Sequence, residues 1–219
     1  MNTSRIDTRR RILDTGKALI TGKSFAGVGL TQILSTARVP KGSFYHYFES
    51  KEAFGEALLA DYLGDYLGHM DTVLGTPGQG AAQSLMDYWD SWTDQSDERC
   101  ECRCLVVKLS CEVADLSEPM RMVLLEGTNQ IIARLAVSIE RAMADGSLRD
   151  IVDPSQTAST LYQLWLGAAM LTKLRRESSA LQGARQATIA MLGLAQETPP
   201  ALDRPNAILH AAAKSPSTL

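Results

Sequence analysis

Residues 30–48 read Leu30-Thr31-Gln32-Ile33-Leu34-Ser35-Thr36-Ala37-Arg38-Val39-Pro40-Lys41-Gly42-Ser43-Phe44-Tyr45-His46-Tyr47-Phe48. Helical patterns lie on both sides of Val39-Pro40, because proline disfavours helix in the residue before it but fits the first turn of the next helix. A short helix, a tight turn and a second short helix make up the helix-turn-helix, whose second helix enters the major groove of DNA. The stretch therefore predicts a DNA-binding motif.

The second helix of this motif supplies most of the candidate DNA contacts. Gly42 allows the backbone to approach DNA or the preceding helix closely. Lys51 follows a predicted Ser50 cap, where a lysine and the free amides of a helix N-terminus can bind phosphate. Phe44 and Phe48, four residues apart, are predicted to anchor the inner face of the helix. The other candidate donors to DNA are Lys41, Ser43, Tyr45 and His46.

Charge is divided unevenly along the 219 residues. Residues 1–50 carry eight basic and three acidic side chains, a net charge of +5, and the remainder carries −8. A basic segment on an acidic protein favours a polyanionic partner for that segment alone. The N-terminus is polar, and the apolar runs are shorter than the ~18 residues of a membrane span. We therefore predict a cytoplasmic protein without membrane contact, whose cysteines are reduced.

Helical spacing of apolar residues extends through most of the chain, and strand signals are weak. The sequence thus predicts an all-α fold, with a three-helix helix-turn-helix domain in residues 1–50 and a helical ligand-sensing and dimerisation bundle in residues 51–195. The first helix is predicted at about residues 7–21 and one helix of the bundle at about residues 105–114. The proline-rich residues 196–219 are predicted to be mostly unstructured.

The N-terminal pattern resembles the signature of the TetR family of transcriptional regulators. The matching residues are Gly22, Phe25, Ile33, Ala37, Val39, Gly42, Tyr45, Phe48 and Lys51. The resemblance implies that Tyr45 and His46 meet phosphates and that the start of the recognition helix reaches bases. Many members of the family have a phosphate-binding Ser or Thr where this chain has Gly29, so that contact is absent or is supplied by Thr31.

Residues 104–118 and 164–173 resemble a narrower branch of the family, the NemR-type repressors, which respond to N-ethylmaleimide and other reactive electrophiles. In this resemblance Cys104 is the sensor cysteine and Lys173 is a lysine that faces it. It implies a repressor that an electrophile or oxidant releases from its operator. Cys100, Cys102 and Cys111 are outside the shared pattern, which leaves open which thiol reacts first.

The chemistry of cysteine gives a reason for Cys104 to be the sensor. Electrophiles react with thiolates, and a thiol with the ordinary pKa of ~8.5 is only a few per cent ionised at neutral pH. Cys104 lies at the predicted start of a helix beside Arg103, and both helix amides and cations stabilise a thiolate. Cys111, two turns further along, is predicted instead to be a small buried hydrophobic residue.

A different effector chemistry stays open on the sequence alone. An apolar ligand could bind without covalent chemistry in a pocket lined by Trp89, Trp92, Met120 and Trp165. Trp165 is therefore included with Cys104 and Lys173 among the candidate effector residues.

Metal binding and enzymatic activity are the remaining alternatives. A soft metal or metalloid could bind to Cys100, Cys102 and Cys104. Structural zinc sites usually place two to four residues between paired cysteines, and the alternating charges around these thiols indicate an exposed loop. A thiol enzyme is not predicted, because none of the three histidines is an evident partner for a cysteine nucleophile. We therefore predict neither a cofactor nor a resident metal.

One predicted helix is apolar on two sides. Its first stripe comprises Leu161, Leu164, Trp165, Ala168 and Leu171, and its second Tyr162, Leu166, Ala169 and Met170. A helix apolar on two sides is buried on two sides, so one stripe is predicted to pack on the chain's own core and the other on a twofold partner. In such a homodimer, two recognition helices about one DNA turn (~34 Å) apart would read a palindromic double-stranded operator.

Overall fold

The computed structural model describes the backbone of residues 3–93 and 98–194 and the side chains of residues 8–93 and 105–194. Within these ranges all regular structure is helical, which confirms the predicted all-α fold. The predicted tail, residues 196–219, lies outside the described residues. The helices are α1 (Thr3–Gly22), α2 (Leu30–Ala37), α3 (Lys41–Tyr47), α4 (Lys51–Leu74), α5 (Ala81–Asp90), α6 (Glu98–Leu116), α7 (Glu118–Ala144), α8 (Pro154–Arg175) and α9 (Ser179–Met191).

Helices α1, α2 and α3 form the predicted helix-turn-helix domain. Ile33 of α2 and Phe44 of α3 are fully buried in its core. The turn between these helices contains Arg38 in the left-handed conformation (φ 54°). The amide of Val39 donates to the carbonyl oxygen of Leu34 (3.0 Å), a bond that commonly closes a helix C-terminus. Helix α2 therefore ends before the proline.

Helix α4 continues from this domain into the C-terminal bundle. It begins after Ser50, whose Oγ accepts a hydrogen bond from the amide of Ala53 (3.0 Å), so the predicted cap is confirmed. Gly16 of α1 packs directly on Phe54 of α4, and a side chain at Gly16 would overlap that ring. The first domain is thus in close contact with the helix that connects it to the second.

Helix α7 lies in the core of the bundle, where it packs against α4, α5, α6 and α8. Its length and composition alone would also allow it to cross a membrane. A buried core helix has the same composition, and Met120, Ile131 and Ile139 are buried among those neighbours. We therefore assign α7 to the core of the bundle.

Two helices begin earlier than predicted. Helix α1 starts at Thr3 rather than near residue 7, and α6 starts at Glu98 rather than near residue 105. The alternating charges of residues 98–104 predict an exposed loop, which is wrong because these residues belong to α6. The segment continues the helix because it contains neither proline nor glycine, and glutamate and arginine both favour helix.

Candidate DNA-binding face and effector site

The outer side of α3 carries the donors that the sequence predicted for DNA. Lys41, Tyr45 and His46 are exposed, and Ser43 is partly exposed. Tyr45 is 48% exposed although it is aromatic. The ammonium group of Lys41 lies 5.9 Å from the centre of the Tyr45 ring. These side chains therefore form one polar surface that is open to a partner.

The inner side of α3 is held by aromatic residues. Phe44 is completely buried, and its ring centre lies 5.2 Å from that of Phe48 and 5.7 Å from that of Phe54 in α4. Aromatic pairs at such distances stabilise a core beyond the area that they bury. The predicted inner anchors Phe44 and Phe48 are confirmed, and they orient α3 on α4.

Thr31 and Gly42 are also exposed. A methyl group built on Gly42 would meet no described atom within 4 Å, so packing against the preceding helix does not require this glycine. Of the two alternatives for Gly42, close approach to the preceding helix is excluded, because the position faces outward, and close approach to DNA stays a prediction. Gly29 is the N-cap of α2 and provides no side-chain cap, and Thr31 lies two residues further along.

Lys51 contacts the turn between α1 and α2. Its Nζ donates to the carbonyl oxygen of Phe25 (2.7 Å) and lies 4.7 Å from the centre of the Phe25 ring. Burial lowers the pKa of Lys51 below its ordinary value, while the carboxylate of Glu112 opposes that shift. An ammonium group has three donors, so the bond to Phe25 still leaves donors for another acceptor.

Part of the positive charge in residues 1–50 is paired within the chain. Nη1 of Arg10 lies 2.9 Å from Oδ1 of Asp61, and Nζ of Lys17 lies 3.6 Å from Oδ2 of Asp65. Both carboxylates belong to α4, outside residues 1–50. The net charge of +5 therefore overestimates the charge available to a polyanion, which the count along the chain could not reveal.

Cys104 is the seventh residue of α6 rather than the first. The effect of a helix dipole falls off within the first turn, so the helix N-terminus contributes less to the reactivity of Cys104 than predicted. Positions 100 and 102 fall ~200° apart around a helix of 3.6 residues per turn. The helical register thus places position 102 on the side of α6 opposite to positions 100 and 104, which are four residues apart and neighbours on one face. The side chains of all three lie outside the described ones.

Cys111 is an exposed free cysteine. The prediction that it is a buried hydrophobic residue is therefore wrong. Leu109 and Val113 of the same helix are fully buried, and Cys111 lies between them in sequence on the side that faces solvent. Apolar residues occur all around α6, so their spacing did not identify its buried side.

A cavity of about 230 Å³ lies between α6 and α8, lined by Val107, Lys108, Ala169 and Lys173. Its walls combine apolar groups with two lysines. Cys104 lies three and four residues before the two lining residues of α6, and residues at that spacing are neighbours on one helical face. The structure thus brings Lys173 to the side of α6 on which position 104 lies.

Trp165 lies in an aromatic cluster. Its ring is stacked on that of Trp89 with ring centres 5.0 Å apart, and the ring centre of Trp92 lies 5.9 Å away. The indole nitrogen donates to Oγ1 of Thr188 (2.9 Å). Met120 packs instead beside α4. Because Trp165 is fully buried, a ligand that reached it would have to displace these partners.

Two residues of α6 that the sequence analysis did not identify bond to the DNA-binding domain. Nζ of Lys108 donates to the carbonyl oxygens of residues 20 (3.1 Å) and 21 (2.7 Å) at the end of α1. The carboxylate of Glu112 accepts from the backbone amides of Phe25 (3.1 Å) and Ala26 (2.7 Å). The sequence did mark these two residues as unusual, because both are charged and lie one turn apart in an otherwise apolar stretch. The pattern identified no partner for them.

An apolar stripe of α8 is exposed. Met170 is 49% and Leu174 75% exposed. Gly167 lies one turn before Met170, and a methyl group built on it would meet no described atom within 4 Å. The opposite side of α8 faces the chain's own core with Leu161, Tyr162, Trp165 and Ala168. Tyr162 therefore belongs to the core and not to the second apolar stripe in which the sequence analysis placed it.

A helix-turn-helix domain joined by one long helix to a larger helical domain defines a DNA-binding regulator. Residues 12–58 match the family model described as bacterial regulatory proteins, tetR family, and residues 81–188 match the tetracyclin repressor-like C-terminal domain. The chain belongs to the TetR family. It is a transcriptional repressor of this family, whose members bind operator DNA and act as dimers.

Individual relatives support the same assignment. The chain is 39% identical to the HTH-type transcriptional repressor NemR of Escherichia coli strain K12, over 81% of this chain and 90% of that protein. It is 28% identical to the repressor DhaR of Mycobacterium sp. strain GP1, over 81% and 88%. A crystal structure of the reduced form of E. coli NemR superimposes with a TM-score of 0.79 and 38% identity, covering 84% of this chain and 97% of that one.

Proposed function

We propose that this repressor leaves its operator when a reactive electrophile or oxidant modifies Cys104. The cavity between α6 and α8 is the main observation in support of this proposal. Lys173 lies in the wall of the cavity, and position 104 is one helical turn before the residues of α6 that line it. The similarity to E. coli NemR, whose matching structure is described as a reduced form, supports thiol chemistry as the trigger.

The exposed face of α3 is the proposed DNA-reading surface. Lys41, Gly42 and Ser43, at the start of the helix, reach base edges in the major groove. Tyr45 and His46 donate to phosphates, which orient the protein without reading sequence. The remaining proposed phosphate contacts are made by Thr31 and Lys51. In a homodimer two such faces bind a palindromic operator in the cytoplasm.

The proposed chemical step is addition of a thiolate. The sulfur of Cys104 attacks an activated C=C bond, a C–S bond forms, the π bond breaks, and the resulting carbanion takes a proton from water. With hypochlorous acid the same sulfur accepts chlorine and hydroxide leaves. Lys173 supplies the positive charge that stabilises the thiolate before either reaction. The product adds bulk between α6 and α8.

Lys173→Met is expected to slow the modification of Cys104 about tenfold, because removing one nearby cation disfavours the thiolate by roughly the free energy of one pKa unit. The rate can be measured by mass spectrometry after timed exposure to N-ethylmaleimide. Lys173→Arg retains the charge and is the matched control. Equal rates for the Met and Arg variants would remove Lys173 from the proposed chemistry.

Lys51→Ala is expected to weaken binding to operator DNA and to unrelated DNA by the same factor, because a phosphate contact carries no sequence information. The slope of log affinity against log salt should become shallower by about 0.9 for each site lost in the dimer. Fluorescence anisotropy at several salt concentrations measures both quantities. Weakened operator binding with an unchanged salt slope would show that Lys51 acts only through its bond to Phe25.

A non-covalent apolar ligand is the second candidate effector, because Val107 and Ala169 give the cavity an apolar wall. Intact-mass measurement of the released protein separates the two mechanisms. A covalent effector leaves an adduct whose mass matches the reagent, and peptide mapping distinguishes Cys104 from the exposed Cys111 as its site. Release of operator without a mass change would favour the non-covalent ligand.

A further inference from the structure

We propose that Lys108 and Glu112 form a clamp by which α6 positions the helix-turn-helix domain for operator binding. These two residues of the C-terminal domain bond to four backbone groups between residues 20 and 26. They are 86 to 88 residues away from those groups in sequence. The clamp thus joins the two domains independently of α4.

Each half of the clamp matches the charge of the backbone groups that it binds. The last carbonyl groups of a helix are partly negative, and at the end of α1 they receive the ammonium group of Lys108. Free amides in a turn are partly positive, and those of Phe25 and Ala26 donate to the carboxylate of Glu112. Bonds of this kind, with one charged partner, are about twice as strong as those between neutral groups.

The clamp acts on the turn that leads into the helix-turn-helix. The residues that it holds are followed closely by α2, which begins at Leu30. Lys51 of α4 bonds to the carbonyl oxygen of Phe25, while Glu112 bonds to the amide of the same residue. The backbone at Phe25 is therefore held by two helices, α4 and α6, which limits rotation of α2 and α3 relative to α6.

Operator binding depends on such positioning through the fraction of molecules in the competent arrangement. The apparent dissociation constant equals the intrinsic one divided by that fraction. Without Glu112, two charge-assisted bonds are lost and the domain keeps its attachments through α4. The domain still folds, but fewer molecules hold both recognition helices at the spacing of the operator.

Lys108 belongs to both the clamp and the wall of the cavity. A group that enlarges the cavity or moves α6 changes the position of this lysine relative to the end of α1. Packed interiors switch between discrete arrangements rather than deforming smoothly. That the clamp transmits the effector signal rests on the proposed function, whereas its positioning role does not.

Glu112→Ala is the variant that tests the clamp, and Asp115→Ala, an exposed carboxylate on the same helix, is its matched control. We expect the operator dissociation constant to rise about tenfold for Glu112→Ala and about threefold for Glu112→Gln, which keeps one acceptor oxygen. Asp115→Ala should match the wild type. Thermal melting should show a cooperative transition for all four proteins, which separates a loss of positioning from a loss of folded structure.

The response to N-ethylmaleimide separates this inference from the proposed function. If wild-type protein is released and Glu112→Ala shows a smaller ratio of dissociation constants after and before modification, the clamp transmits the signal. If the wild type is not released, the proposed function fails, and the tenfold effect of Glu112→Ala on the unmodified protein still decides the positioning role. Unchanged or tighter operator binding by Glu112→Ala would overturn the clamp, whatever the effector.

Discussion

Cys104→Ser is expected to bind operator DNA like the wild type and to remain bound after exposure to N-ethylmaleimide or hypochlorite. A serine hydroxyl is almost the same size as a thiol but does not form an anion at neutral pH, so neither reagent reacts with it. For the wild type, a change from 1:99 to 99:1 between competent and incompetent arrangements requires about 5.5 kcal/mol of differential stabilisation. A covalent adduct between α6 and α8 can supply this by making the competent packing sterically unavailable.

The remaining cysteines provide the controls. Cys111→Ser removes an exposed thiol on the same helix, and Cys100→Ser and Cys102→Ser remove the two thiols nearest in sequence. Each should retain most of the response, measured as the operator dissociation constant before and after modification. If Cys104→Ser is still released at the wild-type rate while loss of Cys100 or Cys102 abolishes release, those two thiols form the sensor.

Met170→Glu is expected to give folded monomers that bind operator at least 100-fold more weakly than the wild type, because an unpaired carboxylate in an interface costs several kcal/mol. Met170 is half exposed in the single chain, so a glutamate there remains solvated until a partner covers it. Two recognition helices bind a palindrome tightly only when they are held together. Sedimentation at micromolar concentration and operator titration measure the two effects.

Two further variants distinguish interface from folding. Val152→Glu, at an exposed position in the α7–α8 loop, should remain dimeric and bind DNA normally. Ala168→Glu should unfold the chain, because Ala168 faces its own core and is only 7% exposed. A Met170→Glu protein that still sediments as a dimer would show that subunits associate through another face.

Much of the DNA-binding domain was predictable because its determinants are local. Pro40 cannot continue the preceding helix but fits the start of the next one, and Ser50 caps α4 through the amide three residues later. Phe44 and Phe48 lie one turn apart, so their common face follows from helix geometry alone. The effector domain was less predictable, because α6 is apolar on several sides. Its sequence did not show that Leu109 would be buried and Cys111 exposed.

The sequence by itself determined the helical fold, the helix-turn-helix and the family, since these depend on spacings of a few residues and on a dense local signature. Only the tertiary structure decided which charges are free, for Arg10 is paired with Asp61 from α4. It alone showed Lys108 and Glu112 bonded to the α1–α2 segment and Lys51 to Phe25. Such bonds join residues tens of positions apart. Their partners are backbone groups, which every residue possesses and which no sequence pattern distinguishes.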